Sequence, residues 1–509
     1  MAPDGNAGNA GKRSPSIAII GGGFAGLAMG YYLKQAGIDS FTVYEKAQDL
    51  GGVWRENTYP GAACDVPSHL YSFSFERHYP WSCRYGKQSE ILDYTRHVAK
   101  KYELRAHFRF GKEVTGAEYD AQRGLWRVGF TDGETVEADI LVSGVGQLHR
   151  PAYPDLPGLQ HFTGTAFHSA RWDHSYDFRG KTIAVIGTGA SAVQFVPELA
   201  KRVQQLHLFQ RSPGWCIPKF DRAFNAFERW LLNNVPGVYD LDRGRIFWLI
   251  EFLASSMISR GLLSRLADGT LKLLSKVLMR VQVKDPALRR KLTPDFPVGC
   301  KRTLLSNDWL RALSRPNVEV VTDAIAEITA DSIRTTDGVV RKVDAIVYGT
   351  GFAASQFLAP MDLRGSQGQS LRELWRDGAE AYLGVGVAGF PNFFMLYGPN
   401  TNLGAGSIIY MLEAQASYIA QCARLLQAQG LRSMEVRGEV QRGYNEELQQ
   451  RNRGTTYESG CHSWYIGPDG RNTNNWVGYM SEYGRRLRAP NIGDYVLEPA
   501  PAPTQAFAA

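Results

Sequence analysis

Ile17-Ala-Ile-Ile20 is an unbroken apolar run, the pattern of a short strand buried on both faces, and it stops at Gly21-x-Gly23-x-x-Gly26. Leu27–Gln35 then carries helix-forming residues, and Phe41–Tyr44 forms a second apolar strand that ends in Glu45. The same order returns downstream. Thr182–Ile186 runs into Gly187-x-Gly189-x-x-Ala192, and the next strand, Gln205–Phe209, ends in Gln210-Arg211-Ser212. One interval of 24 residues separates Gly21 from Glu45 and Gly187 from Arg211. A fainter repeat runs alongside: Asp132-Gly133, Asp139 and Gly144-x-Gly146 reappear, offset by 205 residues, as Asp337-Gly338, Asp344 and Gly349-x-Gly351. Strand, glycine turn and helix in this order predict two related α/β units, one interrupting the other.

The remaining patterns fill in around them. Ser89–Lys101 reads as a helix with Ile91, Tyr94 and Val98 on one face, and strands are expected near Glu113–Ala117, Trp126–Phe130 and Thr135–Val142. Gly51-Gly-Val-Trp54 and Tyr59-Pro-Gly-Ala-Ala-Cys-Asp65 have no period and read as loop. Arg222–Ala287 is leucine-rich and poor in β-branched residues, a helical insertion with Leu271, Leu274 and Leu278 at helical spacing. Lys272, Lys276 and Arg280 recur beside that stripe. A solvated basic face over a packed apolar one is the preferred reading, with weak association at a membrane surface left open. A further helix is expected over Met411–Leu426, and the last part of the chain is irregular and aromatic. The fold class expected is α/β, two dinucleotide-binding (Rossmann-like) domains with a helical insertion. Its layout is a flexible leader over 1–14, a first nucleotide-binding domain over 15–149 and 350–498, and a second over 150–215 and 299–349. The insertion occupies 216–298 and a flexible tail 499–509.

Composition narrows the class. The chain has 509 residues, 44% of them hydrophobic and 21% charged, enough for a large core and several structural units. A net charge of +7 is small for this length; it suits anionic cofactors and gives no reason to expect nucleic acid. The six cysteines are scattered with no C-x-x-C pair, so neither a metal site nor a disulfide framework is expected and a reducing cytoplasm is the natural setting. The longest apolar candidate, Ile246–Ile250, is interrupted by Glu251, so stable membrane insertion is not expected.

The glycine turns carry the first chemistry. Gly21 permits the tight turn, Gly23 lets backbone approach a pyrophosphate, and Gly26 lets the helix pack on the strand, while the helix N-terminus presents free N–H groups. A lone glycine turn of this kind is also an ordinary structural turn. Here Glu45 stands where an acid would take the ribose 2′-hydroxyl. The second unit ends in Arg211, suited to the 2′-phosphate of NADPH. Two such sites can hold a flavin and NADPH together, which leaves disulfide reductases, ferredoxin reductases and monooxygenases open. Disulfide reductases need a redox cysteine pair near the flavin, which this sequence lacks.

The stretch joining the units, Phe162-Thr-Gly164-Thr-Ala-Phe-His168-Ser-Ala-Arg-Trp172-Asp173, resembles the fingerprint of type I Baeyer–Villiger monooxygenases, relatives of the flavin-containing monooxygenases. A second family pattern matches at Gly51, Gly52, Trp54, Tyr59, Pro60, Gly61 and Asp65, and the resemblance runs from about Ile17 to Trp476. It implies an FAD- and NADPH-dependent enzyme that converts ketones to esters or lactones with dioxygen, through a C4a-peroxyflavin. Gly21, Gly23, Phe24, Ala25, Gly26, Glu45, Lys46, Gly52, Val53, Trp54, Asp65, Tyr71, Val114 and Gln147 would serve FAD. Thr188, Gly189, Ala190, Ser191, Ala192, Gln194, Arg211, Ser212 and Lys301 would serve NADPH, with Trp464 closing over the nicotinamide. Arg302 and Asp65 would be the catalytic pair: a cation tending oxygen anions and a carboxylate fixing it, ideally through both oxygens. The plain alternatives are a turn cap for Asp65 and a surface or phosphate-binding role for Arg302. His168 is read as a structural link, since this chemistry needs no base at the carbonyl, and Trp172 as packing. Ala63, Asp173 and Ser143-Gly-Val-Gly146 depart from the commoner family pattern without removing a proposed catalytic group. Pocket walls are expected from the insertion, Thr401–Ile409 and Cys461–Tyr465. Rival functions are an N- or S-oxygenating monooxygenase and a redox-sensing flavoprotein that binds partners through the insertion. The identity of the ketone and the oligomeric state are not legible in the sequence.

Overall fold

The computed structural model describes residues 13–460, 465–467 and 470–500. Two five-stranded sheets, every strand parallel, organise it. The first has the order Phe393–Met395, Ile140–Ser143, Ile17–Ile20, Phe41–Glu45, Phe108–Phe110. The second has the order Val318–Val321, Gln205–Phe209, Thr182–Ile186, Ala345–Tyr348, Thr165–His168. Each central strand is the one that runs into the glycine turn, and each is buried along its apolar run, as parallel strands covered on both faces must be.

The faint sequence repeat has a structural cause. The Asp139 carboxylate accepts hydrogen bonds from Ser16 N at 2.7 Å and Ser16 Oγ at 2.6 Å, at the start of the first glycine strand. Asp344 accepts from Thr182 N at 2.8 Å, at the start of the second. The glycines at the other end of the same strands also match. Gly144 N donates to Ile20 O at 2.7 Å and Gly349 N to Ile186 O at 2.8 Å. Each unit therefore clamps its central strand to its neighbour at both ends.

Asp139 also corrects one expectation. The single strand foreseen over Thr135–Val142 is two strands, Thr135–Ala138 and Ile140–Ser143, in different sheets. With its carboxylate turned onto Ser16, Asp139 is a corner between an antiparallel sheet with Val114–Asp120 and Leu125–Phe130 and the parallel one.

The insertion is helical: Ala226–Asn234, Val238–Ile258, Leu262–Gln282 and Pro286–Leu292. Cys216–Ile217 and Leu304–Leu305 pair in parallel and bring its two ends together. Buried polar contacts hold it to the rest. His69 Nδ1 and Asp242 Oδ2 lie 2.7 Å apart, Arg243 donates to Ser72 O at 3.1 Å, and Glu251 accepts from Met480 N at 2.8 Å and Ser481 Oγ at 2.7 Å. Leu271 and Leu278 are buried as expected. The opposite face is not merely polar, however, because Leu266, Leu273, Val277 and Val281 are exposed on it. Among the described residues no single helix is long and apolar enough to cross a membrane. The helix foreseen at Met411–Leu426 spans Ile408–Gln429 and packs beside Phe24–Gln35.

Cysteine chemistry needs one correction. Cys64, Cys83, Cys216 and Cys422 are free and buried, but Cys300 is disulfide-bonded, and Ser459 Oγ donates to its Sγ at 3.1 Å. Linear spacing could not foresee this, because the fold rather than the spacing brings the Cys300 loop against the segment near Ser459. The leader to residue 12 and the tail from residue 501 lie outside the described residues.

A Cβ on Gly26 would sit 2.2 Å from Gly21 O, so even a methyl group must push helix and turn apart. Gly26→Ala is expected to cost about 1–3 kcal/mol of stability and to release flavin more readily. Thermal unfolding and the flavin absorbance retained through desalting check both.

Candidate dinucleotide clefts and active site

At the end of the first central strand Gly21 takes φ +105°, and a side chain there would meet Gly144 O at 2.6 Å. Gly23 caps the Phe24–Gln35 helix without any side-chain hydrogen bond, and the helix ladder begins only at Leu27 N. The N–H groups of Phe24, Ala25 and Gly26, three buried residues, thus face out of the helix end. Those donors, with no acid in the first turn, are the set that a pyrophosphate requires. Gly51 N donates to Gly22 O at 2.9 Å, which lays Gly52, Val53 and Trp54 over the turn. Gly52 lies so near Gly23 that a Cβ would be 3.1 Å from the Gly23 Cα. Trp54 Nε1 donates to Tyr71 OH at 3.0 Å, and the Tyr71 ring meets Phe24 edge-on.

Glu45 is buried at the end of its strand. Its carboxylate accepts from Gly22 N at 2.8 Å and Ala47 N at 2.9 Å and pairs with Arg55 at 3.2 Å, so the acid is already oriented over the glycine turn. Lys46 is exposed beside it, and Val114 is buried in a cluster with Tyr44 and Phe130. Gln147 is buried, donates from Nε2 to Tyr397 O at 3.2 Å, and leaves Oε1 without a partner. An orphaned acceptor, oriented N–H donors and a held acid fit a flavin dinucleotide.

The second turn repeats the geometry. Gly187 has φ +107° and would meet Gly349 O at 2.4 Å. Gly189 caps the Ala190–Leu199 helix with no side-chain bond, Ala190 and Ser191 are accessible, and Ala192 is buried. Thr188 Oγ1 donates to Ser212 O at 3.2 Å, and Lys301 Nζ to Ser212 Oγ at 2.7 Å. Burial, reinforced by the nearby Arg211 guanidinium, holds the Lys301 ammonium below the ordinary lysine range. Neither cation forms an ion pair among the described residues. Two neighbouring cations that form no ion pair, with the Asp295 carboxylate only partly offsetting their mutual repulsion, fit an anion such as a 2′-phosphate. Gln194 does something unforeseen. It accepts from Tyr59 OH at 3.0 Å and donates to Ala63 O at 2.8 Å, tying this helix to the Tyr59–Asp65 loop of the other unit.

That loop delivers Asp65 to Arg302, 237 residues away. Arg302 Nε and Nη2 donate to the same oxygen, Asp65 Oδ2, at 3.0 and 2.6 Å. The expected grip through both oxygens is thereby corrected: the guanidinium presents one edge to a single oxygen and leaves Oδ1 outside the pair. Arg302 keeps 35% of its side-chain surface and Asp65 23%, so the pair is partly enclosed and still reachable. The Asp65 carboxylate raises the Arg302 pKa above the ordinary arginine range against the opposing effect of burial. Tyr465 and Tyr397 add to this from nearby. Tyr465 is buried, which pushes its phenol up to about 12, and Tyr397 OH donates to Asn402 Oδ1 at 2.7 Å. Gly299, at φ +86°, sets the Arg302 loop against Met257 of the insertion, where a Cβ would lie 2.5 Å from Met257 Cγ. Tyr397 escaped the sequence reading, which placed a pocket wall only from Thr401 onward. Its signal was the Tyr397-Gly-Pro-Asn400 turn, where Tyr397 and Asn400 both take positive φ. Trp464 lies outside the described residues.

His168 is fully buried, accepts from Ala170 N at 3.1 Å through Nδ1, and stands edge-on to Tyr153 and Phe352, near the Pro151–Phe352 bridge between the two crossovers. Burial lowers its pKa. Trp172 packs against Phe167, Phe178 and Phe195. Between them Arg171 pairs with Glu56 at 2.7 Å, so the fingerprint stretch fastens the second unit to the flavin-side loop.

Comparison with known proteins shows the family. Residues 14–230 match the family described as flavin-binding monooxygenase-like. A Baeyer–Villiger monooxygenase of Streptomyces coelicolor is 42% identical over 97% of this chain and 95% of its own length. One of Pseudomonas aeruginosa is 42% identical over 97% and 93%. Among solved structures, cyclohexanone monooxygenase from Rhodococcus sp. Phi1 bound to NADP+ superposes with a TM-score of 0.85 at 29% identity, covering 96% of this chain and 100% of that one. Steroid monooxygenase bound to NADP gives 0.84 at 30% identity, with coverage of 96% and 100%. With relatives at 42% identity aligned over nearly the whole length, the chain belongs to the Baeyer–Villiger monooxygenases, FAD- and NADPH-dependent members of the flavin-binding monooxygenase-like family.

Proposed function

We propose that this enzyme inserts one oxygen atom of dioxygen beside the carbonyl of a ketone, giving an ester or lactone, with Arg302 as the catalytic cation and Asp65 as its holder. The observation that carries this reading is the partly enclosed Arg302–Asp65 pair where segments of both nucleotide units meet. Bound FAD, reduced by NADPH, supplies the activated oxygen. The chain's own part is electrostatic. The always-charged Arg302 guanidinium, held in place by Asp65, stabilises negative charge developing on the reacting oxygens, a contribution of about 3 kcal/mol for one well-placed donor. Gripping two donors with one oxygen, Asp65 fixes the direction in which the guanidinium points. Tyr397 and Tyr465 stay neutral phenols near physiological pH and help shield the pair from bulk water.

Gly21, Gly23, the Phe24–Gly26 N–H groups and Glu45 would hold the FAD adenosine and pyrophosphate, with Gly52, Val53, Trp54, Tyr71 and Gln147 nearer the flavin ring. Thr188–Ala192, Arg211, Ser212 and Lys301 would hold NADPH. Gln194, bonded to both units, would couple nicotinamide binding to the Asp65 loop. The helical insertion, joined through Met257 to the Arg302 loop, would shape the ketone pocket.

Arg302→Ala is expected to lower ester formation at least about a hundredfold while NADPH oxidation continues and releases hydrogen peroxide. Product mass spectrometry beside NADPH consumption reads both, and undiminished ester formation rejects the assignment. In the wild type a cyclic ketone should yield lactone. Oxidation of a tertiary amine or a sulfide, with no ester from any ketone, would favour the N- or S-oxygenating alternative.

Arg211→Ala should raise the NADPH KM roughly ten- to a hundredfold, the value of a charge-assisted hydrogen bond, and leave the NADH KM nearly unchanged. Burial and the Arg211 charge lower the Lys301 pKa below the ordinary lysine range, so its attraction for phosphate falls off with rising pH earlier than an ordinary lysine's would. The NADPH KM is therefore expected to climb in the alkaline range, and Lys301→Arg to flatten that climb, in steady-state assays with NADH as control.

A further inference from the structure

We propose that the outer face of the Leu262–Gln282 helix seats the enzyme on an anionic lipid surface. Among the described residues eighteen large hydrophobic side chains are exposed, and twelve of them fall between residues 220 and 281. On this helix Leu262, Leu266, Leu273, Val277 and Val281 follow steps of four, seven, four and four, which keep them on one side. Leu266 is 55% exposed and Leu273 62%, far more than a packed amphipathic helix permits. Exposed Trp230 and Trp248 on the neighbouring helices add the residue type that favours the water–lipid boundary.

Charge decides the occupant. Arg265, Lys276 and Arg280 are exposed on this helix and form no ion pair among the described residues. Its one acid, Asp268, is taken by Lys272 at 2.7 Å. A second copy docked through a two-fold axis would set this patch against itself and bring the unpaired cations face to face. Anionic headgroups neutralise them instead while the apolar stripe enters the acyl boundary. The helix lies in the surface and does not cross it, because Ala267, Leu271, Ser275 and Leu278 of its other face stay buried in the protein. That inner face belongs to the same packing as Trp215, Val298 and Phe296, just before the Arg302 loop. The lipid-facing helix is thus one layer away from the active site.

The test uses the full-length holoenzyme in vesicle sedimentation, comparing phosphatidylcholine with phosphatidylcholine containing phosphatidylglycerol. Binding to the anionic vesicles is expected to be at least about tenfold stronger and to weaken with added salt. Leu266→Glu with Leu273→Glu, and separately Lys276→Glu with Arg280→Glu, should each abolish it. Bound flavin and turnover of a small water-soluble ketone should stay unchanged in both. Wild-type enzyme left in the supernatant of both vesicle types overturns the proposal, as does sedimentation that both double variants retain. A dimer in gel filtration that Leu273→Glu dissociates assigns the face to a second copy, and retention by an acidic protein without lipid binding assigns it to a protein partner; either result also overturns it. Sedimentation does not depend on turnover, so failure of the ketone reading would leave this result standing and be seen separately.

Discussion

The structure depends on a very close crossing of backbone, made twice. At the carboxyl end of each parallel sheet a glycine turn passes so near the following Gly-x-Gly segment that a Cβ would lie 2.6 Å from Gly144 O in one unit and 2.4 Å from Gly349 O in the other. Only a residue without a side chain, at φ near +105°, can make that passage. The crossing aims a helix N-terminus out of the end of the sheet, where unpaired N–H groups meet a phosphate. Asp139 and Asp344 hold the far ends of the same strands, so the turn is fixed from both sides.

The Arg302–Asp65 pair belongs to neither unit alone. Asp65 comes from a loop after the first glycine turn and Arg302 from the return out of the insertion, and the meeting of their side chains depends on how the units are joined. Gln194 and the Arg171–Glu56 pair are such joints. They sit on the helix behind the second glycine turn and in the fingerprint stretch, and they fasten both to the Trp54–Asp65 side of the first unit. The insertion contributes a third contact through Met257 at Gly299. The Arg302–Asp65 pair is thus supported from three directions.

Much was legible in linear order because the relevant physics is local. A buried parallel strand must be apolar and a tight turn must be glycine; Ile17–Ile20 and Gly21–Gly26 satisfy both within ten residues. Asp139 shows where local reading stops. Its residue type is visible, but whether it continues a strand or turns a corner depends on Ser16, which lies 123 positions away. The same limit explains the disulfide at Cys300, the bridging role of Gln194 and the single-oxygen grip of Asp65. Each is set by a partner brought near by the fold, and no spacing rule reaches that far.

The sequence by itself determined the two central strands and the glycine turns that follow them, since apolar period and glycine placement are short-range requirements of the backbone. Only the tertiary structure decided how the insertion is oriented. Leu271 and Leu273 are equally apolar, yet one is buried and the other faces outward, because helical rotation separates them and only the packed surface beneath selects which side turns in.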